Sequence, residues 1–194
     1  MKKFKTGIVG CGRIGSILEE DPLRGKPCTH AGGFSALPAI HLSAGCDIDP
    51  ERLQKFGKHW NVTGLYSDYR EMLEKEDLDI LCIATWTSLH ASMTLAAAKA
   101  GIKGIFCEKP IAINLIQARK MVRVCKKYNV SLIINHERRW DANYQQARKL
   151  ILSGKIGEIK TLIGNTLSWK PGRLPVSDYG GGPLFHDGTH LTDL

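Results

Sequence analysis

One stretch near the start of the chain decides the predicted fold: Thr6-Gly7-Ile8-Val9-Gly10-Cys11-Gly12-Arg13-Ile14-Gly15. It reads as a short buried strand that breaks into glycines and then opens a helix. The glycines have the G-x-G-x-x-G spacing, in which the first allows a tight turn. The second lets a pyrophosphate approach the backbone, and the third lets the helix pack against the strand. The stretch therefore predicts a dinucleotide-binding loop with contacts from residues 10–15, and an ordinary glycine-rich turn is the alternative.

Strand-like and helical segments alternate behind this loop. Apolar runs predict strands at 40–46, 63–66, 79–84, 102–107 and 130–135. Helical patterns lie between them, at 16–20, 29–37, 50–60, 68–73, in the segment around His90 and in a basic amphipathic segment from Leu115. A proline-containing insertion at 21–27 interrupts the first helix, and it is either a ligand-contacting loop or a surface insertion. Such alternation predicts an α/β fold, a Rossmann-type doubly wound parallel sheet.

An acidic residue ends the second predicted strand. Asp47 stands where a carboxylate accepts hydrogen bonds from the ribose hydroxyls of a dinucleotide, whereas Asp49 precedes Pro50 and is predicted to cap the next helix. A carboxylate there repels a 2′-phosphate, so the sequence favours NAD over NADP. Nearby Arg52 could compensate that charge, which keeps NADP open.

Two later strands also end in candidate site residues. Thr85-Trp86 follows one strand and Glu108-Lys109-Pro110 follows the next. Ligands of parallel sheets bind at the carboxyl ends of the strands, so these residues are predicted to converge with the glycine loop. An ammonium held there by the neighbouring proline can donate to a substrate hydroxyl and stabilise oxyanion character. A lysine in an ordinary surface turn is the alternative for Lys109.

His190 is the predicted proton acceptor. Imidazole titrates near neutrality, which suits a general base for an alcohol, although a single histidine can also be structural. Asp187 could orient the ring, and His186 lies one helical turn before it. His186 and His190 could also face a metal together, but the sequence offers no third ligand at suitable spacing, so a metal site is not favoured.

Composition restricts the class of protein. The 194 residues carry a net charge of +8 and six cysteines without a C-x-x-C pair, which predicts buried free thiols rather than a disulfide framework. No run approaches the roughly 20 apolar residues of a membrane span. The basic residues of the helix from Leu115 are predicted to form its solvent-exposed face. A nucleic-acid-binding surface is not favoured, because it would need interleaved aromatic residues or a known binding module, and the sequence has neither. A cytoplasmic protein that binds neither nucleic acid nor membrane is expected.

The chain resembles the glucose–fructose oxidoreductase and inositol dehydrogenase family, the Gfo/Idh/MocA group. The matching segments are the glycine loop, residues 47–52, Ala84-Thr85 with His90, Glu108-Lys109-Pro110, residues 135–139, residues 154–158, and residues 180–193. The resemblance implies a nicotinamide-dependent oxidoreductase that acts on a sugar or polyol. It implies that Lys109 and His190 serve substrate and proton transfer, and that Thr85, Trp86, His90 and Glu108 line the cofactor site. The family has an aspartate where this chain has His186, and many relatives have proline in place of Trp86.

The resemblance also implies a longer chain. Family members continue into an α+β substrate domain with a mostly antiparallel sheet, of which only one strand, at 158–168, is predicted here after a helix at 142–152. The expected division is a dinucleotide-binding domain at 1–136 and an incomplete substrate and oligomerisation domain at 137–194. A truncated chain is expected, and a homo-oligomer if full length. Two other functions stay open: a redox-neutral, NAD-dependent glycoside-cleaving enzyme, and a non-catalytic dinucleotide-binding or regulatory protein.

Overall fold

The computed structural model of the protein describes residues 3–165, 188–190 and 192–193. They divide into two compact units, Met1–Ile134 and Asn135–Leu194. The predicted residues His186 and Asp187 lie outside the described residues.

A six-stranded sheet organises the first unit. Its strands are β1 Phe4–Val9, β2 Ile40–Cys46, β3 Gly64–Tyr66, β4 Ile80–Ile83, β5 Gly104–Glu108 and β6 Ser131–Asn135. They lie in the order β3-β2-β1-β4-β5-β6, and the pairs around β1, β2 and β4 are parallel. The chain order therefore reverses between β1 and β4, where a doubly wound sheet opens its binding crevice. This confirms the predicted Rossmann-type fold.

The register of the sheet brings the strand ends level with one another. Val9 pairs with Cys46 on one side and with Ile83 on the other, and Ile83 pairs with Cys107. The residues that follow these positions therefore share one edge of the sheet. The predicted convergence of the glycine loop with the ends of β2, β4 and β5 is a direct result of this alignment.

Helices connect the strands, and side-chain caps set most of their starts. The helices are α1 His30–Ser35, α2 Pro50–Trp60, α3 Tyr69–Lys75, α4 Thr87–Lys99, α5 Leu115–Lys127 and α6 Ala142–Leu152. Thr29, Asp49 and Asp68 accept hydrogen bonds from backbone N–H groups in the first turns of α1, α2 and α3. Such caps satisfy N–H groups that the helix itself leaves unpaired, and the cap predicted at Asp49 is confirmed.

Helical structure after the glycine loop is shorter than predicted. The segment expected at 16–20 forms one 3-10 helix, Ile17–Glu20, preceded by a turn in which Ser16 N and Ile17 N both donate to Gly12 O. The helix ends before Asp21-Pro22. Proline has no backbone N–H to donate to a preceding carbonyl, so it does not continue the helix. The four residues that remain are too few for regular α-helical hydrogen bonding.

All six cysteines belong to the first unit, and most of their thiol groups are buried. All six cysteines are free, five are buried, and only Cys28 is partly exposed. Burial raises the pKa of Cys46 to about 12 and raises the pKa of Cys11 and Cys107 further. The thiolate is the reactive form, so these groups are inert in the folded state. Buried free thiols were predicted and are confirmed.

The difference in burial between Cys28 and the other five cysteines predicts how fast each thiol reacts. In the native protein one thiol per chain, Cys28, is expected to react quickly with an aromatic disulfide reagent, and all six should react in denaturant. Cys28→Ser should remove the fast phase, whereas Cys125→Ser should leave it unchanged. A fast phase that survives Cys28→Ser would contradict the buried positions of the other five.

Regular structure among the described residues of the second unit is mainly helical. A 3-10 helix, Glu137–Trp140, precedes α6, and Asp141 caps α6 by accepting from Asn143 N and Tyr144 N. The strand predicted at 158–168 is wrong over 158–165, which form no strand and are exposed. A strand needs a partner for its backbone groups, and the described part of this unit provides none. Apolar side chains of this segment therefore remain in solvent: Ile159, Leu162 and Ile163.

None of the helices in the described part of the chain is both long enough and apolar enough to cross a bilayer.

Candidate functional site: the glycine loop and the neighbouring strand ends

Two glycines of the loop are required by the protein's own packing. Gly10 has φ +94°, a conformation that favours glycine, and a Cβ there would lie 2.5 Å from Ala84 O. A Cβ on Gly15 would overlap Gly10 O. The loop therefore folds back on itself directly above the junction of β1 and β4, as the roles of the first and third glycines predict.

Gly12 is different, because no atom of residues 3–165 lies in close contact with the position of its added Cβ. The nearest atom to an added Cβ is Arg52 Nη1, at 3.9 Å. The N–H groups of residues 12–15 donate to no acceptor within the described parts of the chain. A turn of adjacent, unpaired N–H groups beside open space is the arrangement that binds phosphate oxygens. The loop thus fits the pyrophosphate of a dinucleotide.

Asp47 is a hydrogen-bonded hub at the end of β2. Its carboxylate accepts from Cys11 N at 2.8 Å, from Asp49 N at 3.0 Å and from Arg52 Nη1 at 3.1 and 3.2 Å. Only 4% of the side chain is exposed. Asp47 therefore joins the glycine loop to the start of α2. The N–H group of Cys11 is already occupied by Asp47, which leaves the N–H groups of residues 12–15 for an anion.

A cleft of about 220 Å³ opens beside this hub. It lies between the glycine loop, the 3-10 helix and the first turns of α2, and its walls include Cys11, Ser16, Asp49, Arg52 and Lys55. Carboxylate acceptors and cationic donors therefore face the same space. Such a mixed lining can hydrogen-bond the hydroxyl groups of a ribose.

Hydrogen bonds join the two segments that flank the insertion at 21–27. Glu19 accepts from Cys28 N, Thr29 N and Thr29 Oγ1 at 3.1, 3.0 and 2.7 Å. Burial alone would raise the pKa of Glu19, but these hydrogen bonds outweigh it and hold the pKa below its usual value. The base of the insertion is thus closed, whereas its tip is open to solvent, with Leu23 93% exposed.

His90 ties the ends of β4 and β5 together. Its Nδ1 lies 2.9 Å from Pro110 O and its Nε2 lies 3.1 Å from Thr85 O. The ring is buried, and burial lowers its pKa although the two carbonyls favour the proton. Both nitrogens face the backbone, so the geometry gives His90 a supporting role and does not favour the predicted contact with the cofactor.

Residues on either side of His90 follow the two strand ends. Trp86 precedes α4 and is 58% exposed, so its indole is accessible beside Thr85. Lys109 is half-buried after β5, and its N–H donates to Glu108 Oε2 at 3.1 Å. Glu108 is itself buried, and its other oxygen lies 2.9 Å from His30 Nε2. Sequence reasoning missed His30, because its partner lies 78 positions away.

A second cluster surrounds His190 within the second unit. His190 is buried, and its Nδ1 lies 3.4 Å from Glu137 Oε1. Arg139 donates twice to Asp193, and these bonds hold the pKa of Asp193 below its usual value. His136 Nδ1 lies 3.7 Å from Asp193. Glu137 and Asp193 were not predicted as site residues, although both fall in segments that carry the family resemblance.

Comparison with known proteins identifies relatives of the chain. The model of the Gfo/Idh/MocA oxidoreductase family, described as having an NAD-binding Rossmann fold, matches residues 4–136. An uncharacterized oxidoreductase YrbE of Bacillus subtilis is 31% identical over 100% of this chain and 53% of its own length. D-apiose dehydrogenase of Paraburkholderia graminis is 32% identical over 81% of this chain and 38% of its own. The chain thus spans about half or less of these relatives.

Solved structures agree with the fold. Myo-inositol 2-dehydrogenase of Lactobacillus plantarum has a TM-score of 0.71 and 29% identity, over 81% of this chain and 43% of its own. Scyllo-inositol dehydrogenase of Lactobacillus casei, with bound NAD(H) and scyllo-inositol, has a TM-score of 0.71 and 28% identity over the same shares of the two chains.

Proposed function

The chain belongs to the Gfo/Idh/MocA oxidoreductase family, and from this premise we propose that it serves NAD-dependent oxidation of a sugar or polyol hydroxyl. The observation that carries the proposal is the glycine loop, whose N–H groups at 12–15 have no acceptor among the described residues and whose Gly12 adjoins open space. The named relatives are dehydrogenases of inositols and apiose, which supports this substrate class.

Residues of the first unit would hold NAD. The loop N–H groups would bind the pyrophosphate, and Asp47 with the adjoining cleft would take the adenosine ribose. Two carboxylates, Asp47 and Asp49, lie beside one guanidinium, Arg52. Because this balance disfavours a 2′-phosphate, NAD is proposed as the cofactor over NADP.

Two residues are proposed to act on the substrate. When bound, the nicotinamide supplies the electrophilic carbon that accepts a hydride from the alcohol carbon. Lys109 would orient the substrate hydroxyl and stabilise the developing oxyanion. His190 would remove the hydroxyl proton, and the carboxylate of Glu137 would stabilise the resulting imidazolium across 3.4 Å. Thr85 and Trp86 remain predicted cofactor contacts, and His186 and Asp187 remain predicted partners of His190.

The proposal is tested by binding and turnover. NAD should bind the purified chain in a calorimeter, and NADH should form with one member of a panel of inositols, aldoses and amino sugars. Turnover without net NADH would favour the redox-neutral glycoside-cleaving enzyme. Binding without turnover across the panel would favour the non-catalytic protein, and absence of NAD binding would overturn the proposed function.

Substitution of His190 tests its proposed role as the general base. His190→Ala is expected to lower turnover by about 100-fold, the usual contribution of a general base, and to leave the NAD dissociation constant unchanged. The turnover rate and the NAD dissociation constant are measured on the same preparation of each variant and compared with those of the wild type. His41→Ala, an exposed histidine of β2, is the control. Undiminished turnover in His190→Ala would remove this residue from the proposed mechanism.

Three further expectations concern the protein as a whole. The domain division at 1–136 and 137–194 and the homo-oligomer of a full-length protein stay predictions. So does the cytoplasmic location, which six unpaired cysteines support, since such thiols persist in reducing compartments.

A further inference from the structure

We propose that His30 is a positioning residue that couples the glycine loop to the turn carrying Lys109. The inference rests on the proposed function, because it concerns how the two ends of a bound dinucleotide are held. His30 begins α1, directly after the insertion, and its side chain is 8% exposed.

The backbone of α1 holds one end of this connection. His30 N donates to Ile14 O at 3.0 Å, and Ala31 N donates to Gly15 O at 3.0 Å. The first N–H groups of α1 therefore bind carbonyl groups of the glycine loop, whose own N–H groups at 12–15 have no acceptor among the described residues. Because these bonds come from the backbone, they persist when the side chain of His30 is replaced.

The side chain holds the other end. His30 Nε2 lies 2.9 Å from Glu108 Oε1, and both side chains are about nine-tenths buried. The ring also meets the edge of Phe106 at a centroid distance of 5.3 Å. A buried carboxylate requires a polar partner, so this contact fixes where the Glu108 side chain lies.

Glu108 passes the connection on to Lys109. Its second oxygen, Oε2, accepts from Lys109 N at 3.1 Å. The path from loop to lysine thus consists of three consecutive contacts: Ile14 to His30, His30 to Glu108, and Glu108 to the Lys109 backbone. Loss of the His30 side chain breaks the middle contact and leaves the glycine loop intact.

This separation predicts a selective binding defect. ADP-ribose contains the pyrophosphate and both riboses of NAD but lacks the nicotinamide. In His30→Leu, affinity for ADP-ribose should stay within about twofold, whereas affinity for NAD should fall by about tenfold. His41→Leu, which changes an exposed histidine of β2, should alter neither affinity. His30→Gln, which retains a donor for Glu108, should recover most of the NAD affinity.

Two further measurements keep the proposal testable. The Lys109 amide resonance should shift in ¹H–¹⁵N spectra of His30→Leu, because its acceptor Glu108 loses its anchor. If His30→Leu does not fold, the double variant His30→Leu/Glu108→Met removes both polar partners together, and it should show the same fall in the ratio of NAD to ADP-ribose affinity.

The outcomes separate the two claims. Equal losses of NAD and ADP-ribose affinity, or no loss of either in folded His30→Leu, would overturn the coupling role and leave the proposed function standing. A wild-type chain that binds neither compound would overturn the proposed function and this inference with it.

Discussion

Gly12→Val is expected to lower NAD affinity by at least about 100-fold while the free energy of unfolding changes by less than about 1 kcal/mol. The Cβ of an added side chain at this position meets no atom of the described residues closer than Arg52 Nη1 at 3.9 Å, so the apoprotein is expected to tolerate it. The valine side chain would instead occupy the space beside the N–H groups of residues 12–15, which have no acceptor among the described residues. Loss of two or three charge-assisted hydrogen bonds, each worth about 1.5–3 kcal/mol, accounts for the expected effect.

Two other glycines provide the controls for Gly12→Val. Gly15→Ala should unfold the protein or strongly destabilise it, because its Cβ would overlap Gly10 O. Gly25→Ala, in the exposed insertion with no atom near its added Cβ, should change neither stability nor binding. The measurements are urea unfolding and NAD titration by calorimetry. Normal NAD affinity in folded Gly12→Val would place the dinucleotide elsewhere.

Asp47→Ala is expected to reduce the free energy of unfolding by about 2–4 kcal/mol. The substitution leaves the N–H groups of Cys11 and Asp49 without their acceptor, at about 1–3 kcal/mol for each unsatisfied buried group. Arg52 also loses one of its two carboxylate partners, but it keeps Asp49 and its side chain is 37% exposed, so water compensates most of that loss. NAD affinity should fall as well, because Asp47 holds the backbone of the glycine loop and the side chain of Arg52, which lines the neighbouring cleft.

Asp49→Ala is the matched comparison for Asp47→Ala. It removes the cap of α2, which accepts from Glu51 N and Arg52 N, and such caps contribute about 1 kcal/mol. Urea unfolding of both variants at one temperature gives the difference directly. A loss in Asp47→Ala no larger than in Asp49→Ala would show that the hub at the end of β2 is not an important anchor of the glycine loop.

Local sequence patterns predicted most of the first unit. The run Ile80–Ile83 is apolar along its length because a central strand of a parallel sheet is covered on both faces. Asp49 before Pro50 predicts the start of α2, since both the cap and the missing N–H of proline act within one turn. These signals depend on neighbours within a few residues, which is why they can be read without a structure.

Local patterns do not decide the structure of a segment, or the contacts of a side chain, that depends on distant partners. Residues 158–165 contain the apolar members of a predicted strand, yet no strand forms without another to pair with among the described residues. His90 has the position of a site residue, but its ring nitrogens face Thr85 O and Pro110 O. Neither outcome is encoded in the spacing of neighbouring residues.

The sequence by itself determined the parallel fold, the helix caps, the free thiols and the dinucleotide-binding loop, because each follows from periodicity or from a short motif. Only the tertiary structure decided which side chains meet: Asp47 with Cys11 N, His30 with Glu108, and Glu137 with His190. Sheet order and register bring the first two pairs together, and these depend on the packing of the whole first unit. Contacts between residues so far apart in the chain leave no local signal in a single sequence.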